Sequence, residues 1–203
     1  MRGYFGIGVE GVTKPYNVGS VFRSAHAFGA AFVFTVAANY ERRKGAHIDT
    51  SDAVAQVPFY DFPTLNEMVL PGGCALVGVE LDDTAVELPS FRHPTRAAYI
   101  LGKERGSLSA SMFARCDHLI RIPTQFSLNL GMAGVIVMYD RLISLGRFPN
   151  RPVSPGGPVE DLPPHVHGGP VLRQDDTVPE MQAYRSDPPL EEVALAARKG
   201  SED

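Results

Sequence analysis

The fold is decided by the stretch YFGIGVEGVTKPYNVGSVFRSAHAFGAAFVFTVA, which runs from Tyr4 to Ala37. The stretch begins and ends with an apolar run, and each run predicts a strand. The first run is Tyr4 to Val9 and the second is Ala31 to Ala37. Between them Asn17 is expected to cap a helix that Gly29 ends. The apolar residues that recur at helical spacing in this helix are Val18, Val21, Phe22, Ala25 and Phe28. The stretch therefore predicts a strand, a helix and a second strand in succession.

The same alternation continues along the chain. Further strands are expected at Val57 to Tyr60, Cys74 to Leu81, Ala97 to Gly102 and His118 to Pro123. Further helices are expected near Ser51 to Gln56, from the capping box of Thr64 and Glu67 to Leu70, near Ser109 to Ala114, and from Gly131 to Leu145, before Gly146. Apolar strands that alternate with helices indicate an α/β domain with a mainly parallel sheet flanked by helices.

The composition changes after Asn150. Residues 151–203 hold nine of the 17 prolines, and five Lys or Arg against ten Asp or Glu. Residues 1–150 hold 14 Lys or Arg against 13 Asp or Glu, so the tail accounts for the net charge of −4. Such a tail buries too little apolar surface to offset its ordering entropy. We expect one domain over residues 1–150 and a largely disordered, acidic, proline-rich tail over residues 151–203.

Composition also narrows the class of protein. The 203 residues, 44% of them hydrophobic, are enough for one good core. No apolar run is long enough to span a bilayer, and the start Met1-Arg2-Gly3 lacks the apolar segment of a signal peptide, so we expect a cytoplasmic protein without a membrane partner. Cys74 and Cys116 are expected as buried small residues, and His165 and His167 have no ligand partners nearby in sequence. No metal site is predicted.

One pattern near the start suggests a different enzyme. Gly6-Ile7-Gly8-Val9-Glu10-Gly11 satisfies GxGxxG, the fingerprint of dinucleotide-binding loops. That fingerprint needs a strand before it and a helix that opens on its last glycine, whereas Thr13-Lys14-Pro15 follows here. An NAD-binding oxidoreductase is therefore the less favoured enzyme alternative.

Three stretches carry the features of a ligand site. They are PYNVGSVFRSAHAFG (Pro15 to Gly29), LGKERGSL (Leu101 to Leu108) and RIPTQFSLNLGMAG (Arg121 to Gly134). Each places glycines and a few polar groups where a strand should end and a helix begin, as in the ligand loops of α/β proteins. In their residues and in their order along the chain, they resemble the motifs of the SpoU/TrmH branch of the SPOUT superfamily, the knotted RNA 2′-O-ribose methyltransferases. The resemblance extends from Gly6 to about Arg147.

The resemblance implies a C-terminal trefoil knot and transfer of a methyl group from S-adenosylmethionine to a ribose 2′-hydroxyl of RNA. In the first stretch it makes Arg23 the catalytic residue, from its spacing after Asn17 and Gly19. Arg23 also falls on the helix face opposite the apolar residues, so packing does not explain it. Arginine is an unusual base, because its side chain stays protonated near neutral pH. Its role is either to take the hydroxyl proton or to stabilise the developing negative charge.

The resemblance assigns the cofactor site to the other two stretches. In the second stretch the implied cofactor residues are Leu101, Gly102, Lys103, Glu104 and Gly106. In the third stretch they are Ile122, Pro123, Leu128, Asn129 and Ala133. The implied catalytic set is Arg23, Asn17, Glu104, Ser127 and Asn129. Gly131 departs from the family, which often has serine or alanine at that position.

The resemblance also implies partners. SPOUT enzymes generally act as homodimers with their sites near the subunit interface, and the helix Gly131 to Leu145 is apolar enough to contribute. Small catalytic domains of this family often modify tRNA, so tRNA is favoured over ribosomal RNA as substrate. Independently of the resemblance, the basic run Arg42 to Lys44, with Lys103 and Arg105, could form a local basic surface for phosphate contacts, although Arg42 to Lys44 taken alone is better interpreted as a solvated surface loop. The alternative is a catalytically inactive RNA-binding relative, against which the joint presence of Arg23, Glu104 and Asn129 argues.

Overall fold

The computed structural model describes residues 3–38, 56–103, 106–159 and 161. The strands are β1 (Tyr4–Glu10), β2 (Phe32–Val36), β3 (Phe59–Phe62), β4 (Ala75–Val79), β5 (Val86–Glu87), β6 (Arg96–Leu101) and β7 (His118–Arg121). The α-helices are α1 (Pro15–Ala27), α2 (Ala110–Arg115) and α3 (Leu130–Leu145), with 3-10 turns at Leu65–Glu67 and Leu88–Ser90. The seven strands form one parallel sheet in the order β3-β2-β1-β6-β4-β7-β5. The predicted α/β class with a mainly parallel sheet is confirmed.

The chain divides into two units, Met1–Glu160 and Asp161–Asp203, and every described residue except Asp161 lies in the first. The division into residues 1–150 and 151–203 stays a prediction. Of the helix predicted near Ser51, only Gln56 is described, and the basic run Arg42 to Lys44 lies outside the described residues. No helix in the described part of the chain is long and apolar enough to cross a membrane.

Strand β1 is an inner strand of the sheet, paired with β2 on one side and β6 on the other. Its glycines leave room for two aromatic rings of β2. A Cβ atom on Gly6 would lie 2.2 Å from the Phe32 ring, and one on Gly8 would lie 2.6 Å from the Phe34 ring. Gly6 and Gly8, the first two glycines of the GxGxxG pattern, are therefore strand residues that make room for these rings. They do not lie in a loop between a strand and a helix.

Helix α1 presents its apolar face to the core as predicted, with Val18, Val21 and Phe22 buried. The prediction that Asn17 caps it is wrong. The helix begins at Pro15, and Lys14 is the N-cap, without a side-chain capping bond. Proline suits the first helical position because it needs no N–H partner there, so the helix starts earlier and Asn17 lies buried in its first turn. Gly29, at φ +72°, follows the end of the helix.

The helix predicted from Thr64 to Leu70 is also wrong, because only the 3-10 turn Leu65–Glu67 forms. The Thr64 hydroxyl donates to the Glu67 carboxylate at 2.7 Å, and the Thr64 side chain makes no capping bond to a backbone amide. The guanidinium of Arg115 donates to the carbonyls of Leu65 and Met68 at 2.6 and 2.7 Å. These bonds satisfy two carbonyls at the end of the short turn without further helix. The short strand β5 was not predicted.

Helices α1 and α3 pack together on one face of the sheet, over the larger of two groups of buried apolar residues. Their approach is close at Gly131, where a Cβ atom would lie 2.6 Å from the Ser20 hydroxyl oxygen. This close contact explains why a glycine occupies position 131. Cys74 and Cys116 are half-buried beside the second group, which includes Phe34. Burial raises the pKa of both thiols, that of Cys116 to about 11.

A buried polar cluster that the sequence did not reveal lies beside the start of β1. We call it the Arg141 cluster, and its members are Arg141, Tyr99, His93 and Asp140. Arg141 is fully buried and donates to the Tyr99 hydroxyl at 3.2 Å and to the carbonyls of Pro94, Thr95 and Tyr4 at 2.6, 2.9 and 3.2 Å. His93 lies 2.6 Å from the Tyr99 hydroxyl and 2.8 Å from the Asp140 carboxylate. One arginine thus joins α3 to the loop before β6 and to β1.

Candidate functional site

A cavity of about 370 Å³ opens at the carboxyl ends of β4, β6 and β7. The ends of adjacent parallel strands are where α/β proteins usually bind ligands. Its walls combine apolar and polar surface in similar amounts, and Lys103 and Glu80 are the charged residues among the described ones that line it. The lining residues are Val79, Glu80, Leu81, Leu101, Gly102, Lys103, Gly106, Ile122, Thr124, Ser127, Leu128, Leu130 and Ala133.

The loop that follows β6 forms one wall of the cavity. Gly102 lies against the returning chain, since a Cβ atom there would be 3.0 Å from the Leu108 nitrogen. Gly106 has a φ of +146°, a conformation that favours glycine, and a Cβ atom there would lie 2.7 Å from the Lys103 side chain. Both glycines of the second motif are therefore required by the path of the loop. Glu104 and Arg105 lie outside the described residues.

Two carboxylates hold the far end of this loop. Glu80, just after β4, accepts a hydrogen bond from the Leu108 amide at 2.7 Å. Glu10, the last residue of β1, accepts from the Ser109 amide at 2.8 Å and from the Ser109 hydroxyl at 2.5 Å. Because β1 and β4 lie on either side of β6, the loop that leaves β6 is fixed from both neighbouring strands. Ser109 also caps α2, its hydroxyl accepting from the Met112 amide at 3.1 Å.

The third motif supplies the opposite wall. After β7 the chain passes Ile122 and turns at Thr124, whose hydroxyl donates to the Phe126 carbonyl at 2.9 Å. Leu128 is half-buried against the cavity, and Ala133 reaches it from the first turn of α3. Asn129 caps α3, since its side-chain oxygen accepts from the Gly131 amide at 2.9 Å. This capping bond fixes where the loop ends and the helix begins.

The first motif meets the third through the two packed helices. Ser20 of α1 touches Gly131, the residue next to Leu130 in the cavity wall. Arg23 follows Ser20 by about one turn and its side chain is exposed, as predicted. Among the described residues that line the cavity, neither Arg23 nor the buried Asn17 is found.

The structure brings eight of the predicted site residues together around one cavity. They are Leu101, Gly102, Lys103, Gly106, Ile122, Ser127, Leu128 and Ala133. Pro123 instead lines a neighbouring cavity of about 440 Å³ beside Arg121, which pairs with Glu87 at 3.0 Å. The chemical roles assigned to these residues, and to Asn17, Arg23, Glu104 and Asn129, stay predictions.

The sequence did not predict the part of the cavity at the carboxyl end of β4, which consists of Val79, Glu80 and Leu81. The signal was available, because Cys74 to Leu81 had been predicted as a strand and the carboxyl ends of neighbouring strands meet at one edge. Beyond Glu80, Asp82 accepts hydrogen bonds from the Thr84 amide and hydroxyl, and these bonds lower the pKa of its carboxyl. They keep the chain after β4 in a tight turn beside the cavity.

A second cavity, of about 420 Å³, adjoins the first across the same loop. It shares Lys103 and Gly106 with the first, and Glu10 and Ala37 line its other side. Ala37 has a φ of +48°, an uncommon conformation for a residue with a side chain. No group of three or more His, Cys, Asp or Glu residues that could hold a metal ion occurs within the described ranges.

Comparison with known proteins bears on what this site does. Residues 5–139 match the family described as the SpoU rRNA Methylase family. A 23S rRNA (guanosine-2′-O-)-methyltransferase, RlmB, of Nitrosomonas europaea is 32% identical over 145 residues, 65% of this chain and 53% of that protein. An uncharacterized tRNA/rRNA methyltransferase of Synechocystis is 29% identical over 144 residues, 65% of this chain and 36% of that protein. The chain thus spans about half or less of these relatives.

Solved structures show the same fold. The SpoU methyltransferase AviRb of Streptomyces viridochromogenes aligns over 72% of this chain and 62% of its own, with a TM-score of 0.62 and 23% identity. An rRNA methyltransferase of Sinorhizobium meliloti, solved with AdoMet bound, aligns over 71% of this chain and 58% of its own, with a TM-score of 0.63 and 21% identity.

Proposed function

The chain belongs to the SpoU rRNA Methylase family, and we propose that it is an RNA methyltransferase that uses S-adenosylmethionine to methylate a ribose 2′-hydroxyl. The observation that carries the proposal is the single cavity at the ends of β4, β6 and β7, where eight predicted site residues come together. Two relatives support the 2′-O position by their names. They are RlmB of Nitrosomonas europaea and the mouse tRNA (guanosine(18)-2′-O)-methyltransferase TARBP1, which is 24% identical over 137 residues, 64% of this chain and 9% of that protein.

The cavity suits this cofactor in size and chemistry. Its volume of about 370 Å³ lies within the usual range for small-molecule sites, roughly 300–1,000 Å³. Leu101, Ile122 and Leu128 offer apolar surface for an adenine ring, while Lys103 and Glu80 offer opposite charges for a zwitterionic amino acid group. When bound, S-adenosylmethionine supplies an electrophilic methyl group. AviRb and the Sinorhizobium meliloti enzyme have both been solved with this cofactor, which supports the assignment.

We propose that Arg23 acts on the RNA, which accepts the methyl group. Arginine stays protonated in proteins and offers several N–H donors in a fixed plane, which suits a phosphate group. We therefore assign it the electrostatic role, in which it binds an RNA phosphate and stabilises negative charge that develops on the ribose oxygen. The proton then leaves through phosphate or water. The exposure of Arg23 supports this role, because a phosphate of a large RNA must reach it.

Exposed apolar side chains on α1 and α3 support a homodimer. On α3 these are Met132, Tyr139 and Ile143, with 58%, 53% and 37% of their surface exposed, and on α1 it is Tyr16, with 66% exposed. Large apolar side chains grouped on packed helices are typical of protein interfaces. A second copy of the chain, seated on α1 and α3, is the partner we propose.

We also propose that the chain forms a trefoil knot near β7. Strand β7 lies between β4 and β5, although only residues 80–85 connect those two strands. Val79 and Val86 both pair with Ile120, so this connection crosses the end of β7, which supports a threaded chain.

We retain tRNA as the favoured substrate, on the grounds of the small catalytic domain. A cytoplasmic location stays a prediction.

A calorimetric titration with S-adenosylmethionine tests the cofactor assignment. The wild-type chain is expected to bind the cofactor and not NAD. Leu128→Arg, which places a long charged side chain in the cavity, should abolish binding. Phe126→Arg is the matched control, because Phe126 belongs to the same loop but is 75% exposed and does not line the cavity. Absence of binding at high micromolar cofactor would contradict the proposal.

A further inference from the structure

Glu80 is a charged residue of the cavity wall to which neither the family match nor the sequence motifs assign a role. It follows β4 directly, and its amide donates to the Ile120 carbonyl at 2.9 Å, so its backbone continues the sheet ladder. Its side chain is half-buried and lines the cavity between Val79 and Leu81. A carboxylate in this position faces whatever ligand fills the space between the loop after β6 and the third motif.

The Glu80 carboxylate is held in one orientation. One oxygen accepts from the Leu81 amide at 3.0 Å and the other from the Leu108 amide at 2.7 Å. A carboxylate has about four acceptor positions, so these two bonds leave about two for a ligand, as far as the described residues are concerned. Amide donors also carry no net charge. They fix the carboxylate without neutralising it.

The surroundings of Glu80 strengthen its effect on a charged ligand. Leucine, isoleucine and valine side chains form part of the wall, and beside such apolar surface charges interact more strongly than in open water. The proposed cofactor carries two positive charges, on its sulfonium and its amino group, and one negative charge on its carboxylate. Lys103, on the wall formed by the loop after β6, is suited to the carboxylate. Glu80 is suited to the positive groups.

We propose that the Glu80 carboxylate recognises the ammonium group at the amino acid end of the cofactor, and so selects the complete cofactor over fragments that lack this group. The inference rests on the proposed function, because it names the part of S-adenosylmethionine that Glu80 binds. Glu80 is then a cofactor-binding residue in addition to holding the Leu108 amide. Glu10 holds the next amide of the same loop, that of Ser109, but Glu10 does not line this cavity.

Three ligands separate charge recognition from effects on cavity shape. S-adenosylmethionine carries both positive groups, S-adenosylhomocysteine only the ammonium, and 5′-methylthioadenosine neither, although it retains the adenine, ribose and sulfur. Dissociation constants measured by calorimetry for Glu80→Gln should rise roughly ten- to hundredfold for the first two ligands. The constant for 5′-methylthioadenosine should stay within about twofold of wild type. Glu80→Asp, which keeps the charge, should keep the wild-type ranking of the three ligands.

Glu10→Gln is the matched control, since it disturbs the same loop one residue away. Any loss it causes should be equal for all three ligands. Equal loss for all three in Glu80→Gln, or no loss at all, would overturn the charge-recognition proposal while leaving the proposed function intact. Failure of the wild-type chain to bind any of the three would instead overturn the proposed function, and this inference with it. If Glu80→Gln does not fold, loss of the ligand ranking in Glu80→Asp decides against the proposal.

Discussion

The guanidinium of Arg141 donates a hydrogen bond to the Tyr99 hydroxyl at 3.2 Å, and both side chains are buried. The same guanidinium lies over the Tyr99 ring, 5.9 Å from its centre. Because the hydroxyl accepts this bond, its own proton is available to His93, whose second ring nitrogen can then donate to Asp140. The chain of bonds runs from α3 to β6 and back to α3, which fixes the helix against the amino-terminal part of the sheet.

Substitution of Arg141 should destabilise the fold strongly. Arg141→Met fills much of the volume but removes the donor that Arg141 supplies to the Pro94 carbonyl and to the Tyr99 hydroxyl. The Thr95 carbonyl loses one of two donors, because the Tyr4 amide still donates to it at 3.0 Å. We expect a loss of about 3 kcal/mol or more in the free energy of unfolding, measured by urea denaturation. Arg92→Ala is the control, because Arg92 is exposed, and should change the value by less than about 0.5 kcal/mol. Equal effects of the two substitutions would contradict the structural role of Arg141.

Stability should depend on pH through His93. Burial lowers the pKa of His93 below its usual 6.5, despite the opposing effect of Asp140, and Arg141 lowers it further. Below about pH 6.5 the unfolded chain therefore binds a proton at this residue that the folded chain does not. The free energy of unfolding should fall as the pH decreases from about 6.5 towards the lowered pKa, by at most about 1.4 kcal/mol per pH unit.

His93→Gln should remove this part of the pH dependence, because glutamine does not titrate. The measurement is urea denaturation of the wild type and the variant between pH 5 and pH 8. Parallel curves for the two proteins would contradict the buried, neutral state of His93.

Arg23→Ala should separate catalysis from cofactor binding. Arg23 does not line the described cavity, so the dissociation constant for S-adenosylmethionine should stay near the wild-type value. Methyl transfer to RNA should fall by about 10² to 10³, the usual loss when a group that stabilises transition-state charge is removed. His26→Ala tests the exposed side of the same helix one turn further and should retain most of the activity. Full methyl transfer by Arg23→Ala would show that the assigned role is wrong.

Tyr139→Glu should weaken the proposed homodimer, because a charge would be buried in an apolar interface. Light scattering coupled to gel filtration should report a dimer for the wild type and a shift towards monomer for the variant. Val153→Glu is the control, since Val153 is fully exposed and lies outside α1 and α3. A wild-type monomer at tens of micromolar, or a dimer that Tyr139→Glu leaves unchanged, would exclude this interface.

Periodicity was enough to predict most of the fold. Apolar runs indicated the positions of β1, β2, β4, β6 and β7, and the burial of Val18, Val21 and Phe22 followed from their spacing. Local capping rules were less reliable. Asn17 and Thr64 both have the right chemistry for a cap, yet Pro15 starts the first helix earlier and Arg115 satisfies the carbonyls beyond the second.

The features that the sequence did not predict depend on contacts between residues far apart in sequence. The glycines at positions 6 and 8 are explained by rings of β2, and Gly131 by Ser20, neither of which a local pattern reveals. The Arg141 cluster joins residues more than 40 positions apart, so its members look like unrelated surface residues in the sequence. Glu80 was missed because no motif includes it, although it ends a predicted strand. The cavity itself was predicted because the motifs that form its two walls each follow a predicted strand.

The most direct test of the central claim is mass spectrometry of nucleosides from RNA treated with the purified chain. Unmodified tRNA and ribosomal RNA would each be incubated with S-adenosylmethionine that carries a deuterated methyl group, and then digested to nucleosides. We predict a labelled 2′-O-methylnucleoside from tRNA that the Arg23→Ala protein does not produce. A labelled methyl group on a base, or no labelled nucleoside from either RNA, would contradict this prediction.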